Sequence, residues 1–178
     1  MLGAYCSDKV IRYDCVDACA ETRHGLDHVK MLMDRKIAGK EVNVLFGAYE
    51  DMEFNPGFYD MVFTSPPYFI KEYYSDDPEQ SDQRYGDSFE HWKKGFLLPF
   101  IERSHAWLKP GGKFIVNIGN IMLGRESIDL ADCFQEIMVD YPEFRDGFEF
   151  VEMLRMVKND RYGNARQDFE PVFVFVKK

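Results

Sequence analysis

Cysteine is scarce in this sequence, and basic runs, long apolar runs and N-terminal glycine motifs are lacking. Cys6, Cys15, Cys19 and Cys133 are the only thiols in 178 residues. Cys15 and Cys19 stand four apart, but no second pair and no histidine cluster completes a zinc pattern, so no metal site is expected. The four are read as reduced, partly buried thiols of a cytoplasmic protein. No signal peptide is recognisable and no apolar run is long enough to span a bilayer, so no membrane partner is expected. Lys and Arg number 22 against 31 Asp and Glu, for a net charge of -9. A broad phosphate-binding face needs the opposite balance. Any grip on a duplex is therefore local, borrowed from a partner, or carried by a segment absent from this chain. No Gly-x-Gly occurs in the N-terminal half, so the usual glycine turn that cradles a nucleotide is missing there.

What is present suits one soluble domain with one core: 46% of residues are hydrophobic and 30% charged. Aromatics reach 16%, which means either a thick core or rings used for stacking. Short apolar runs alternate with amphipathic ones, the pattern of an α/β fold with a mostly parallel sheet between helices. Strands are expected over residues 10–16, 41–46, 59–64, 113–118, 148–157 and 169–176. Helices are expected over 22–37, 89–108 and 127–141. Leu26, Val29, Met33 and Ile37 share one face of the first helix. Pro99 is placed to kink the second, and Lys109-Pro110-Gly111-Gly112 to end it and turn into a strand. Residues 75–90 read as a polar, acidic loop. Residues 1–7 read as the tail of a helix. In a doubly wound fold an earlier strand and a glycine-rich turn precede such a helix. The first strand is therefore expected to be missing, and residues 1–178 to form a single, N-terminally truncated domain.

The stretch with the most chemistry is Tyr59-Asp60-Met61-Val62-Phe63-Thr64-Ser65-Pro66-Pro67-Tyr68. An apolar strand runs straight into Ser-Pro-Pro-Tyr, at the carboxyl end where open α/β sheets bind ligands. The exocyclic amino group of cytosine or adenine is a poor nucleophile, because its lone pair is delocalised into the ring. Two acceptors aimed at its two hydrogens localise that pair, and the Ser65 hydroxyl and Pro66 carbonyl are candidates. Pro66 and Pro67 fix φ and donate no competing N–H, so the dipoles are preorganised. Tyr68 offers a flat face for a base taken out of its helix. The alternative is an ordinary strand, a proline-rich turn and a core tyrosine.

Thr64-Ser65-Pro66-Pro67-Tyr68 resembles the catalytic motif of DNA amino-methyltransferases, which make N4-methylcytosine or N6-methyladenine. Leu108-Lys109-Pro110-Gly111-Gly112-Lys113 with Phe114-Ile115-Val116-Asn117-Ile118 is similar to the family's next helix-turn-strand, and Phe169-Glu170-Pro171-Val172-Phe173-Val174-Phe175 to its closing hairpin strand. The whole resembles phage-encoded members most. The resemblance implies a Rossmann-like, three-layer methyltransferase sandwich whose final strand is antiparallel. It also implies S-adenosylmethionine as cofactor and double-stranded DNA with a flipped base as partner. Ser65 at the first motif position leans toward cytosine N4 over adenine N6. The family's glycine-rich loop for the methionine end of the cofactor has no counterpart here.

In such a fold Asp17, followed by Ala18, stands where a carboxylate bonds the cofactor's ribose, though Asp also serves as a helix N-cap. By the same resemblance Gly47, Ala48, Tyr49 and Glu50 line the adenine pocket; an ordinary strand-end turn is the alternative. Six acids between Ser75 and Glu90 fit no calcium-loop spacing and read as a solvated lid. Arg155, Lys158, Arg161, Arg166, Lys177 and Lys178 are candidates for phosphate contact or simply a solvated hairpin. A missing strand would leave sheet edges open to a second copy, so a homodimer is possible on sequence grounds. Competing functions are methylation of RNA or of a protein amide, and a non-catalytic fragment that keeps the fold.

Overall fold

In the computed structural model, which describes residues 1–71, 73–157 and 169–178, the apolar runs become strands and the amphipathic runs helices. The chain forms two units, residues 1–52 with 73–86, and residues 53–72 with 87–178.

The first unit holds α1 (Leu2–Cys6), β1 (Arg12–Asp17), α2 (Arg23–Lys36), β2 (Glu41–Phe46) and α3 (Ser81–Tyr85). β1 and β2 are parallel and in register from Arg12↔Glu41 to Asp17↔Phe46. Their carboxyl ends are tied by the Gly47 N–H, which donates to the Asp17 carbonyl at 3.1 Å. Leu26, Val29, Met33 and Ile37 are all half-buried, as an amphipathic helix requires. Burial and the bond to Asp34, 2.5 Å away, push the Tyr5 hydroxyl up to about 12.

The second unit is built on β3 (Tyr59–Thr64), β4 (Leu108–Asn117), β7 (Phe148–Val157) and β8 (Phe169–Lys177), in the order β3-β4-β8-β7. A short hairpin, β5 (Ile121–Leu123) and β6 (Glu126–Ile128), and two helices, α6 (Leu130–Asp140) and α7 (Pro142–Gly147), follow β4. β3 and β4 are parallel, and β8 runs antiparallel to both β4 and β7. β7 therefore points the same way as β3 and β4, and the final strand is the reversed one. The sheet is nonetheless mixed rather than mostly parallel, because β8 folds back between β4 and β7 and turns two of the three ladders antiparallel.

The expected helix over 89–108 comes in three pieces: α4 (Phe89–Trp92), a π turn (Lys93–Leu97) and α5 (Leu98–Trp107). Pro99 lies in the first turn of α5 and has no N–H for the carbonyl four residues back, so the wider turn sits just before it. The loop expected over 75–90 contains α3 and the start of α4; α3 is too short to show an apolar period. At Lys109–Gly112 the β3–β4 register jumps from Tyr59↔Leu108 to Met61↔Lys113. A Cβ on Gly112 would meet the Lys109 carbonyl oxygen at 2.9 Å, so glycine is required there.

The aromatic excess goes largely into this unit's core. Phe114 of β4 touches the rings of Phe100, Phe134, Phe148 and Phe175 at centroid distances of 5.5, 6.3, 5.4 and 6.4 Å. Each fully buried Phe contributes about 1.5–3 kcal/mol. Lys177, at the end of β8, ties the sheet to the end of α5 by donating to the carbonyls of His105 and Leu108 at 2.7 and 2.9 Å. Among the described residues no helix is long and apolar enough to cross a membrane, and no group of three His, Cys, Asp or Glu is placed to hold a metal ion.

Candidate active site

Ser65, Pro66, Pro67 and Tyr68 leave the carboxyl end of β3, whose last rung is Thr64↔Val116. Ser65 is exposed, Pro66 buried and Pro67 half-buried. The tyrosine turns inward. Tyr68 is 6% exposed, and its hydroxyl lies 3.3 Å from the Asn117 carbonyl and 3.4 Å from Asn117 Oδ1. Asn117 ends β4, the parallel neighbour, so both groups lie at the same end of the sheet. The Asn117 Nδ2 donates in turn to the Pro171 carbonyl of β8 at 3.1 Å. The ring thus presents no open face in this state, and its hydroxyl ties the corner to β4 and, through Asn117, to the closing hairpin.

Two residues of this arrangement escape sequence reasoning. Asn117 stands out only as a polar residue closing an apolar strand. Phe69 gives no signal, yet its φ of 55° makes it the one non-glycine residue with positive φ among the described residues. For an L-residue that costs about 1–2 kcal/mol. The Phe69 ring, 3% exposed, sits edge-on against Phe89 and Trp92 at 5.5 and 5.9 Å. Burying it is worth about 1.5–3 kcal/mol, which outweighs the backbone cost. The turn is closed by the Lys71 N–H donating to the Tyr68 carbonyl at 3.1 Å.

The expected cofactor residues lie in the first unit, where the ends of β1 and β2 bring Asp17 and Ala18 beside Gly47, Ala48, Tyr49 and Glu50. Asp17 caps its own turn: Oδ1 accepts from the Cys19 N–H at 2.8 Å and Oδ2 from the Thr22 hydroxyl at 2.7 Å. The acidic segment is not free in solvent but folds onto both strand ends. Asp77 accepts from the Ala20 N–H at 3.1 Å and Glu79 from the Ala48 N–H at 3.3 Å. The Tyr85 hydroxyl donates to the buried Glu50 at 2.5 Å. Arg84 reaches Asp51 at 2.6 Å and both Glu50 and Glu79 at 3.5 Å. Burial, followed by the bond to Glu50, pushes the Tyr85 hydroxyl well above its usual range.

Of the basic residues near the hairpin, Arg155 stacks over the Phe169 ring at 4.6 Å and Lys178 donates to the Arg145 carbonyl at 3.1 Å. Lys177 is turned onto the end of α5. Lys158, Arg161 and Arg166 lie outside the described residues.

Solved structures share this architecture. The chain resembles PvuII DNA methyltransferase, cytosine-N4-specific, at 20% identity with a TM-score of 0.52, over 75% of this chain and 48% of that one. It also resembles a SAM-dependent methyltransferase from Methanosarcina mazei at 11% identity with a TM-score of 0.53, over 93% of this chain and 82% of that one. Such identities speak to fold alone, and the fold is the α/β fold of the S-adenosylmethionine-dependent methyltransferases. No curated protein matches the chain. The sequence itself goes further: residues 59–178 match the DNA methylase family, and the chain belongs to that family. The family methylates amino groups of DNA bases with S-adenosylmethionine. The match begins at the first residue of β3 and takes in the Ser-Pro-Pro-Tyr corner. The chain spans about half the length of the first solved DNA methylases it matches.

Proposed function

We propose that this chain transfers a methyl group from S-adenosylmethionine to the exocyclic amino group of a DNA base, cytosine N4 ahead of adenine N6. The observation that carries the reading is Ser65-Pro66-Pro67-Tyr68 at the carboxyl end of β3, inside the matched family region. The Ser65 hydroxyl and Pro66 carbonyl accept from the amino group and localise its lone pair. The proton leaves once the methyl group has arrived, so no strong general base is needed. Tyr68 holds the corner through Asn117 in the closed state; stacking on an extruded base follows when DNA binding uncovers its ring.

The donor set of the first unit suits the adenosine half of the cofactor. A carboxylate has about four lone-pair sites, so Asp17 can accept ribose hydroxyls while capping its turn. Gly47, Ala48, Tyr49 and Glu50 meet the adenine through backbone groups, with the acidic segment as the adjoining wall; the Glu50 carboxylate itself is held by Tyr85 and Arg84. When bound, the cofactor supplies the electrophilic methyl group. The methionine half has no glycine-rich loop in this sequence. The open edge of β3 supports pairing with a second copy, and the free thiols support a cytoplasmic location.

The test is methyl transfer from labelled cofactor to duplex DNA, RNA and bulk protein, side by side. Label is expected in DNA. Ser65→Ala should lower kcat by roughly 100- to 1000-fold, the scale of losing one preorganised transition-state hydrogen bond, with cofactor affinity nearly unchanged. Label in RNA or protein but never in DNA overturns the reading, and so does unchanged turnover in Ser65→Ala. The lack of a glycine-rich loop in the N-terminal half supports a second reading, a fragment that keeps the fold without turnover. Cofactor binding without transfer to any substrate would favour it.

A further inference from the structure

We propose that Phe69 is a positioning residue for the methyl-transfer corner, a ring wedge that sets the direction of the Ser65 hydroxyl and the Pro66 carbonyl. The inference rests on the function proposed above. Only four residues separate the end of β3 at Thr64 from Phe69, and two of them are prolines with fixed φ. A segment so short and stiff takes its orientation from its two ends. One end is held by the β3–β4 ladder. The other is Phe69, whose left-handed backbone is not a local preference of phenylalanine. It persists because the ring is held among Phe89 and Trp92. Trp92 is itself fully buried and continues the stack to Phe96 at 5.4 Å. The π turn begins at the residue after Trp92, a local widening of a kind often found at functional sites. Strained residues persist only where their surroundings over-determine them, and here the surroundings are the rings of Phe89 and Trp92, with Phe96 packed behind Trp92.

The experiment compares the full chain with Phe69→Ala, Phe69→Gly and Phe69→Leu, by amide hydrogen exchange without DNA or cofactor and by methyl transfer. In Phe69→Ala, exchange across residues 64–71 should quicken about tenfold while peptides from β4 and α6 stay as protected as before. Phe69→Gly should be as loose as Phe69→Ala, although glycine adopts the left-handed turn freely. Phe69→Leu, which keeps most of the apolar volume, should recover much of the protection. Turnover should fall by roughly 10- to 100-fold in the Ala variant, as for a misplaced reacting group, with KM for S-adenosylmethionine unchanged and kcat largely restored by Leu. Unchanged exchange in Phe69→Ala overturns the proposal. So does wild-type-like behaviour of Phe69→Gly, which would make backbone preference the cause. So does a loosened corner with full kcat. If Phe69→Ala loses protection everywhere, Phe69→Leu against wild type carries the comparison. Local loosening in a chain that never methylates DNA would leave the wedge standing and remove the proposed function instead.

Discussion

Ser65 and Tyr68 divide the corner between solvent and core: Ser65 is exposed, and the tyrosine three positions on is anchored. The motif was legible because its neighbours obey simple rules, a short apolar strand followed by residues that cannot continue it. Asn117 and Phe69 were not, since one acts across a strand boundary and the other holds a backbone angle that only its tertiary surroundings explain. His105 is a similar case: the sequence shows a lone histidine, and the fold sets its ring against Phe148 at 4.9 Å. Burial, then the nearby Lys177 charge, lower its pKa below 6.5, with a bond to Gly147 opposing. A histidine held neutral in the folded state binds fewer protons than in the unfolded chain. Its contribution to stability is therefore complete above 6.5 and lost as pH falls through the folded value. Melting temperature should drop on acidification below 6.5, and His105→Gln should flatten that part of the curve. Equal slopes in the two proteins would show that His105 does not titrate with unfolding.

At the scale of elements, the segment from Ser75 to Tyr85 reads differently in sequence and in structure. Its acids looked like a solvated lid, but two of them accept backbone N–H groups at the ends of β1 and β2, and Arg84 and Tyr85 return to Glu50. No periodicity betrays this, because each contact is a single polar bond between distant parts of the chain. Tyr85→Phe removes the donor to a buried carboxylate and should cost about 1–3 kcal/mol. Urea unfolding followed by exchange protection over residues 47–51 and 75–86 measures it; unchanged protection would mean that Arg84, Asp77 and Glu79 hold the segment without Tyr85. The β5–β6 hairpin was within reach of sequence reasoning. Gly124-Arg125 between two short strands is the glycine-first signature of a two-residue hairpin loop, and Gly124 has a φ of 64°. The insertion of β8 between β4 and β7 was not, since strand order leaves no local trace in a sequence.

For the whole molecule the exposed apolar surface is the feature with consequences. Phe63 and Met61 of β3 are 67% and 50% exposed beside an edge that no described strand pairs, the kind of surface that invites strand addition. A net charge of -9 on every copy opposes such pairing, and salt screens that repulsion. Sedimentation should therefore show self-association that grows with protein and salt concentration and is suppressed by Phe63→Lys. An association indifferent to that substitution would place the contact elsewhere. The strand order carries one more consequence, for biosynthesis. β8 leaves the ribosome after every other described strand, yet it occupies an interior place in its sheet, and its Pro171 carbonyl receives the Asn117 amide that steadies Tyr68. A nascent chain can shape the diproline corner early but cannot lock it until translation has passed residue 177. Proteases or premature stops that take the final strand would disable a site more than a hundred residues upstream.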